Sequence, residues 1–350
     1  MFMKQHADRI QAFEERLARL KAEYAAGNLE TRQRLLQAAH ARERFENYDP
    51  HAPTLSDADA RLLIANEEGY AFWRKYQSYL YLDPAVQNVI GAVRTGDLEG
   101  LREILRLDAS AANPHWVAGF PAPKPIPNDS IPLFCVCEGV FRTTNQQGNE
   151  YELTEALLAA GAEITIEDDI VLGAAMSFNV PRAAEALLDG GAPIDGVEGD
   201  GVPMAYAVHF GFRELAELMA RRGAKLDLRF AAAVGRLDEV KNWFEADGSL
   251  KEGAGALADP YGQERKYAGQ SAFRCERTRE NILSQALCFA CTHGRLEVAR
   301  FLLSQGANPA TDVPGLDYDA PPADWAHWRG QREAVDLLLN YIQSRGPATG

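Results

Sequence analysis

A glycine set between two short apolar runs recurs along this chain, and the recurrence narrows its possible folds more than any other feature. Residues 287–309, LCFACTHGRLEVARFLLSQGANP, show the unit in full. Gly294 follows one apolar run and precedes another carrying Leu296, Val298, Ala299, Leu302 and Leu303, spaced as one face of a helix. Gly306-Ala307 closes the second run, as a left-handed C-cap does. The same order surrounds positions 96, 149, 179, 211, 235, 294 and 330, all glycine except Asn149 and Asn179. Asparagine tolerates positive φ better than most residues. Successive marks lie 53, 30, 32, 24, 59 and 36 residues apart, against a repeat period of about 33. The two long intervals hold insertions. A period of this size predicts stacked helix pairs, all-α, with each pair covering its neighbour.

Residues 287–309 also carry Cys288, Cys291 and His293, three soft metal ligands in six residues. A zinc site needs a fourth ligand and its own loop spacing, and neither is present in this stretch. Cys288, Cys291, Cys135 and Cys137 all fall within apolar helical runs, where cysteine packs as a small hydrophobe. The expectation is four core cysteines and no metal. Five cysteines in 350 residues do not form a disulfide framework and fit a reducing cytoplasm.

IPLFCVC (131–137) and VPMAYAVHFG (202–211) resemble the first half of an ankyrin repeat, and EALLAAGAEI, EALLDGGAPI and RFLLSQGANP the second. The resemblance spans residues 84–341 as seven ankyrin-like units, several degenerate, and implies a solenoid that recognises protein partners. Residues 1–82 form a separate helical segment. Ile10, Phe13, Leu17, Leu20 and Tyr24 make an apolar seam on a first helix, and a second is expected over 31–46. Ser56 or Asp57 is the expected N-cap of a third, stopped at Gly69. This segment resembles a module, D-A-x-x-x-I-A-x-x-x-G-[FY]-x-x-W, that precedes ankyrin arrays in bacterial proteins. Its aromatics, Tyr70, Phe72, Trp73, Tyr76 and Tyr79, are read as a cap over the open end of the solenoid. Residues 342–350 are read as a tail.

Net charge is −14, which argues against nucleic acid or an anionic membrane as the partner, and no apolar run is long enough to span a bilayer. The resemblance implies that contacts come from the hairpin tips and from the residues just before each between-helix glycine. Those residues are Arg94 and Thr95, Glu138, Ser177 and Phe178, His209 and Phe210, Ala233 and Val234, Thr292 and His293, and Trp328 and Arg329. The binding candidates among them are Phe178, His209, Phe210, His293 and Trp328. Two insertions add to the row. Residues 113–130 are proline-rich. Residues 261–279 carry five Lys/Arg against two Glu, with Arg265, Lys266, Tyr267, Phe273 and Arg274 interleaved, and suit an acidic partner. The competing reading is an enzyme or small-molecule binder, with Glu138, His209 and His293 as acid-base groups in a loop-covered pocket. No cofactor is implied. No phosphate loop, nucleophile elbow or His-Glu-x-x-His motif is present.

Overall fold

The computed structural model describes residues 2–41, 49, 51–68, 70, 72–117, 120–258, 276–316 and 318–345, with the side chains of 2–6 and 39–41 excepted. Among them are 18 α-helices and no strand beyond isolated bridges. The fold is an all-α, ankyrin-like array behind a helical N-terminal segment. It packs as two compact units, one of residues 1–139, 144–146 and 156–162, the other of 140–143, 147–155 and 163–350. No described helix is long and apolar enough to cross a membrane.

The first unit opens with α1 (Phe2–Ala25) and α2 (Leu29–Ala41), then α3 (Asp57–Glu67) and α4 (Trp73–Tyr81). The seam of α1 lies inside the chain: Phe13, Leu17, Leu20 and Tyr24 form one core with Leu35, Leu63, Ile64, Tyr76 and Leu80. Ser56 is the N-cap of α3, its hydroxyl accepting from the Asp59 amide at 3.1 Å. The aromatics of this segment pack on one another. Trp73 stacks on Phe13 at 5.2 Å, and Tyr70 contacts Tyr76 at 5.2 Å and Tyr79 at 5.7 Å. Asp83 caps α5 (Pro84–Thr95), and α6 (Leu98–Leu107) completes the first pair. The proline-rich insertion begins alongside the end of α4: Val117 donates to the Tyr81 carbonyl and Asp83 to that of His115, each at 3.0 Å. The insertion then leads through a 3₁₀ turn at Asn128–Ser130 into α7 (Pro132–Phe141), which α8 (Glu150–Ala159) follows.

The second unit carries five more pairs. These are α9 (Ile170–Ser177) with α10 (Pro181–Asp189), α11 (Val202–Phe210) with α12 (Arg213–Arg221), α13 (Leu228–Val234) with α14 (Leu237–Asn242), α15 (Arg279–Thr292) with α16 (Leu296–Ser304), and α17 (Pro322–Trp328) with α18 (Arg332–Arg345). The first helices of the middle pairs, α9, α11, α13 and α15, are buried over most of their length. Residues 282–292 of α15 are buried without a break, as a helix with neighbours on every side must be. Leu228, Ala231, Leu283, Leu287, Ala290, Val298, Leu302, Ala326 and Leu338 belong to one core.

Both helix ends follow from the punctuation. Gly161, Gly191, Gly223 and Gly306 end second helices at φ near 90°, and the following alanine amide reaches back to Leu157, Leu187, Met219 or Leu302. All seven marked positions lie between a helix pair. Six of them take positive φ, Asn179 among them at 59°, but Asn149 does not. The insertion between α7 and α8 moves the left-handed turns to Thr143 and Gly148, and the Asn149 carbonyl instead accepts from Leu153 at the start of α8. The last helix also runs beyond 341, to Arg345.

Candidate binding surface

In the first unit the residue pair ahead of the α5 turn meets α7. Gly139 makes this possible: a Cβ there would stand 2.9 Å from the Arg94 backbone. Arg94 donates from Nε at 2.9 Å and from Nη2 at 2.5 Å to Oε2 of Glu138, whose side chain is 7% exposed. Thr144 ties the same corner by donating to the Arg94 carbonyl at 2.7 Å. Glu138, an acid-base group only under the competing reading, is the buried half of an ion pair. Asp129, which the proline-rich insertion brings in, has a carboxyl raised by its burial, with Lys75 and Arg94 acting against the rise.

The four cysteines of the helical runs are wholly buried free thiols. Burial pushes the Cys291 thiol up to about 12, and those of Cys135 and Cys288 well above the usual thiol range. The thiolate that metal binding and nucleophilic chemistry both require is disfavoured at all three. Among the described residues, no three His, Cys, Asp or Glu side chains are grouped to hold a metal ion.

In the second unit the row before the glycines turns largely inward. Ala233, Val234, Thr292, His209 and His293 are buried, while Phe178, Phe210 and Arg329 are half-buried. His293 donates from Nε2 to the Val208 carbonyl at 2.9 Å, and Arg329 donates from Nη2 to the His209 carbonyl at 2.9 Å. His209 lies in the last turn of the first helix of the fourth pair, and His293 follows that of the sixth. The structure brings His293 against the residue next to His209. The short α13, ending Ala-Ala-Ala-Val, puts little bulk between α11 and α15. His293 is 1% exposed, and its burial lowers the imidazole to about 4. It is a neutral donor fixed in the core, ill-suited to exchanging protons near pH 7.

The aromatic members of the row form two exposed or half-exposed groups. Phe141, 62% exposed, stacks on Phe178 at 4.6 Å. The other group rises from α17, where the i, i+3 spacing sets Trp325 and Trp328 on neighbouring positions, their rings 5.3 Å apart. Trp325 is 4% exposed and packs on His209 at 5.8 Å. Trp328 is 55% exposed, and Tyr318, 64% exposed, meets it edge-on at 6.0 Å. Phe210 stacks on Phe212 at 5.6 Å beside His209. Tyr318 and Trp325 were not expected from sequence, although the Trp-Ala-His-Trp spacing marks a two-tryptophan face. The candidates of the basic insertion, Arg265, Lys266, Tyr267, Phe273 and Arg274, lie outside the described residues.

A buried polar network flanks that segment. Arg229 is 1% exposed and donates from Nε at 2.9 Å and from Nη2 at 2.8 Å to Asp227, from Nη1 to Gln285 at 2.7 Å, and from Nη2 to the Leu257 carbonyl. Arg277 donates to that carbonyl at 3.0 Å and also to the carbonyl of Gly255. Nothing in the local sequence signals this network, because arginine in a helix normally reads as solvent-facing.

Residues 285–312 match the family model described as Ankyrin repeat, which places the match on the pair around Gly294. Among solved structures, the chain is similar to the human ASB11 ankyrin repeat domain, at 19% identity and a TM-score of 0.36, over 71% of this chain and 96% of that one. It is also similar to the ankyrin repeat domain of Bcl-3, a member of the IkappaB protein family, at 18% identity and a TM-score of 0.34, over 72% of this chain and 97% of that one. No curated protein matches the chain.

Proposed function

We propose that the chain is a protein-recognition module whose partner seats on the aromatic group of Tyr318 and Trp328. The observation that carries this reading is the pairing of two well-exposed rings with a buried one: Tyr318 and Trp328 stand over Trp325, which is itself fixed against His209. Large aromatics held rigidly at a surface lose little entropy on contact and dominate the energetics of protein interfaces. Phe141 on Phe178 is a second anchor of the same kind. The ion pair of Glu138 and the carbonyl bond of His293 support recognition over proton transfer, since each group already has a structural partner. An acidic character of the partner rests on the basic composition of 261–279. The setting we propose is a reducing bacterial cytoplasm.

The test is a photo-crosslinking amino acid placed at Tyr318, at Trp328 or at Leu107, a 71% exposed residue of the first unit, in the chain expressed in its native cells. The expected result is one polypeptide captured from 318 and 328 and not from 107, with capture competed by the unmodified chain and not by its Trp328→Ala variant. Equal capture at all three positions, or competition by both chains alike, would overturn the reading.

A further inference from the structure

A helix leaves its last carbonyls without intrahelical donors, and two of those of α11 receive side chains from far along the chain. Ala207 accepts from the Phe212 amide at 2.9 Å, an ordinary local closure. Val208 accepts from the Gly211 amide at 3.1 Å and also from the imidazole of His293, 85 residues on, and His209 accepts the guanidinium of Arg329, 120 residues on. These side-chain donors belong to the sixth and seventh helix pairs, while α11 belongs to the fourth. Side-chain packing follows the hydrogen bonds: Trp325 lies against the His209 ring, and the Arg329 stem covers Gly211, where a Cβ would meet its Cδ at 3.1 Å. A parallel bridge joins the fourth, fifth and sixth pairs, with Arg295 donating to the Ala233 carbonyl at 3.0 Å and to Glu217 at 2.6 Å. Its stem covers Gly235 in the same way.

In a repeat array each unit ordinarily touches only its neighbours, so a disturbance passes along the chain one interface at a time. We infer that His293 and Arg329 form a clasp on the end of α11 that makes the fourth, sixth and seventh pairs one cooperative block. Loosening the last pair is then felt at α11 directly. The clasp also sets the seat of the aromatic group, because Arg329 follows Trp328 and Trp325 shares the His209 contact.

Amide hydrogen exchange on the full chain tests this. Arg329→Met removes the guanidinium and keeps the stem. Arg332→Met, at an exposed position on the same turn, is the control. The expected result is exchange at least tenfold faster over 204–212 as well as over 322–328 in Arg329→Met, with both segments unchanged in Arg332→Met. Faster exchange confined to α15–α18, with α11 unaffected, would overturn the clasp. Should Arg329→Met fail to fold, the wild-type chain decides the question under graded guanidinium. Amides of α11 and α17 should open along one common isotherm if the clasp holds, and separate isotherms would refute it.

Discussion

His293 donates its Nε2 proton to the carbonyl oxygen of Val208 at 2.9 Å, and so carries its single proton on that nitrogen, inside the core. Burial, the largest influence on this imidazole, lowers it to about 4. An unfolded histidine titrates near 6.5. Between those values the unfolded chain binds a proton that the folded chain refuses. The stability due to neutral His293 is therefore complete above about pH 6.5 and is lost as pH falls towards about 4, by about 3 kcal/mol over the whole window. His293→Gln removes the titration. The difference in unfolding free energy between wild type and variant, from denaturant melts at pH 7.5 and pH 4.5, should shrink by most of that amount. A difference independent of pH would show that His293 is not the proton-refusing group.

Arg94 and Glu138 hold the α5–α7 corner through a charge pair of which only the arginine reaches solvent. Arg94→Met leaves a desolvated carboxylate behind and should cost roughly 2 to 4 kcal/mol, with Arg94→Met/Glu138→Gln recovering part of the loss. Gly139→Ala forces a methyl against the Arg94 backbone and should cost about 1 to 3 kcal/mol by overpacking alone. Urea melts that show either single substitution to be neutral would mean the corner relaxes without penalty.

The fully buried Arg229 gives a sharper case. Replacing it with leucine leaves Asp227 buried without its guanidinium, a change that typically costs about 3 to 5 kcal/mol. Arg229→Leu/Asp227→Asn should be less damaging than Arg229→Leu, because the carboxylate is then neutralised. A double variant as unstable as the sum of the singles would mean the two side chains stabilise the fold independently.

The thiols make a chemical prediction. In a Cys275→Ser background, Ellman's reagent should find no reactive thiol in the native chain and four after denaturation, since Cys135, Cys137, Cys288 and Cys291 are all fully buried. Elemental analysis of the same preparation should show no stoichiometric zinc. Rapid native labelling of Cys288 or Cys291, with zinc released in parallel, would restore a ligand role.

The parts of the molecule legible in the sequence are those written locally. A Gly-Ala pair after a leucine run specifies the end of a second helix within six residues, as at Leu302 and Ala307, and the helix pairs follow from such signals. Asn149 was misjudged for an equally local reason. The inserted residues after α7 offered Thr143 and Gly148 as alternative turning points, and punctuation alone does not rank them. The exposure of the residues before each between-helix turn was not legible, because it depends on how closely non-adjacent pairs approach. His293 reads as a surface residue until α15 is set beside α11 across the small side chains of α13. Arg229 was missed because its three partners, Asp227, Leu257 and Gln285, come together only in the folded chain.

The Leu257 carbonyl receives both Arg229 and Arg277, so the described residues on either side of 259–275 meet at one acceptor. The pieces on either side are also bound to each other through α13 and α15, whose Leu228, Ala231, Leu283 and Leu287 share one core. A polypeptide severed between 259 and 275 would therefore keep its two fragments together as a non-covalent heterodimer.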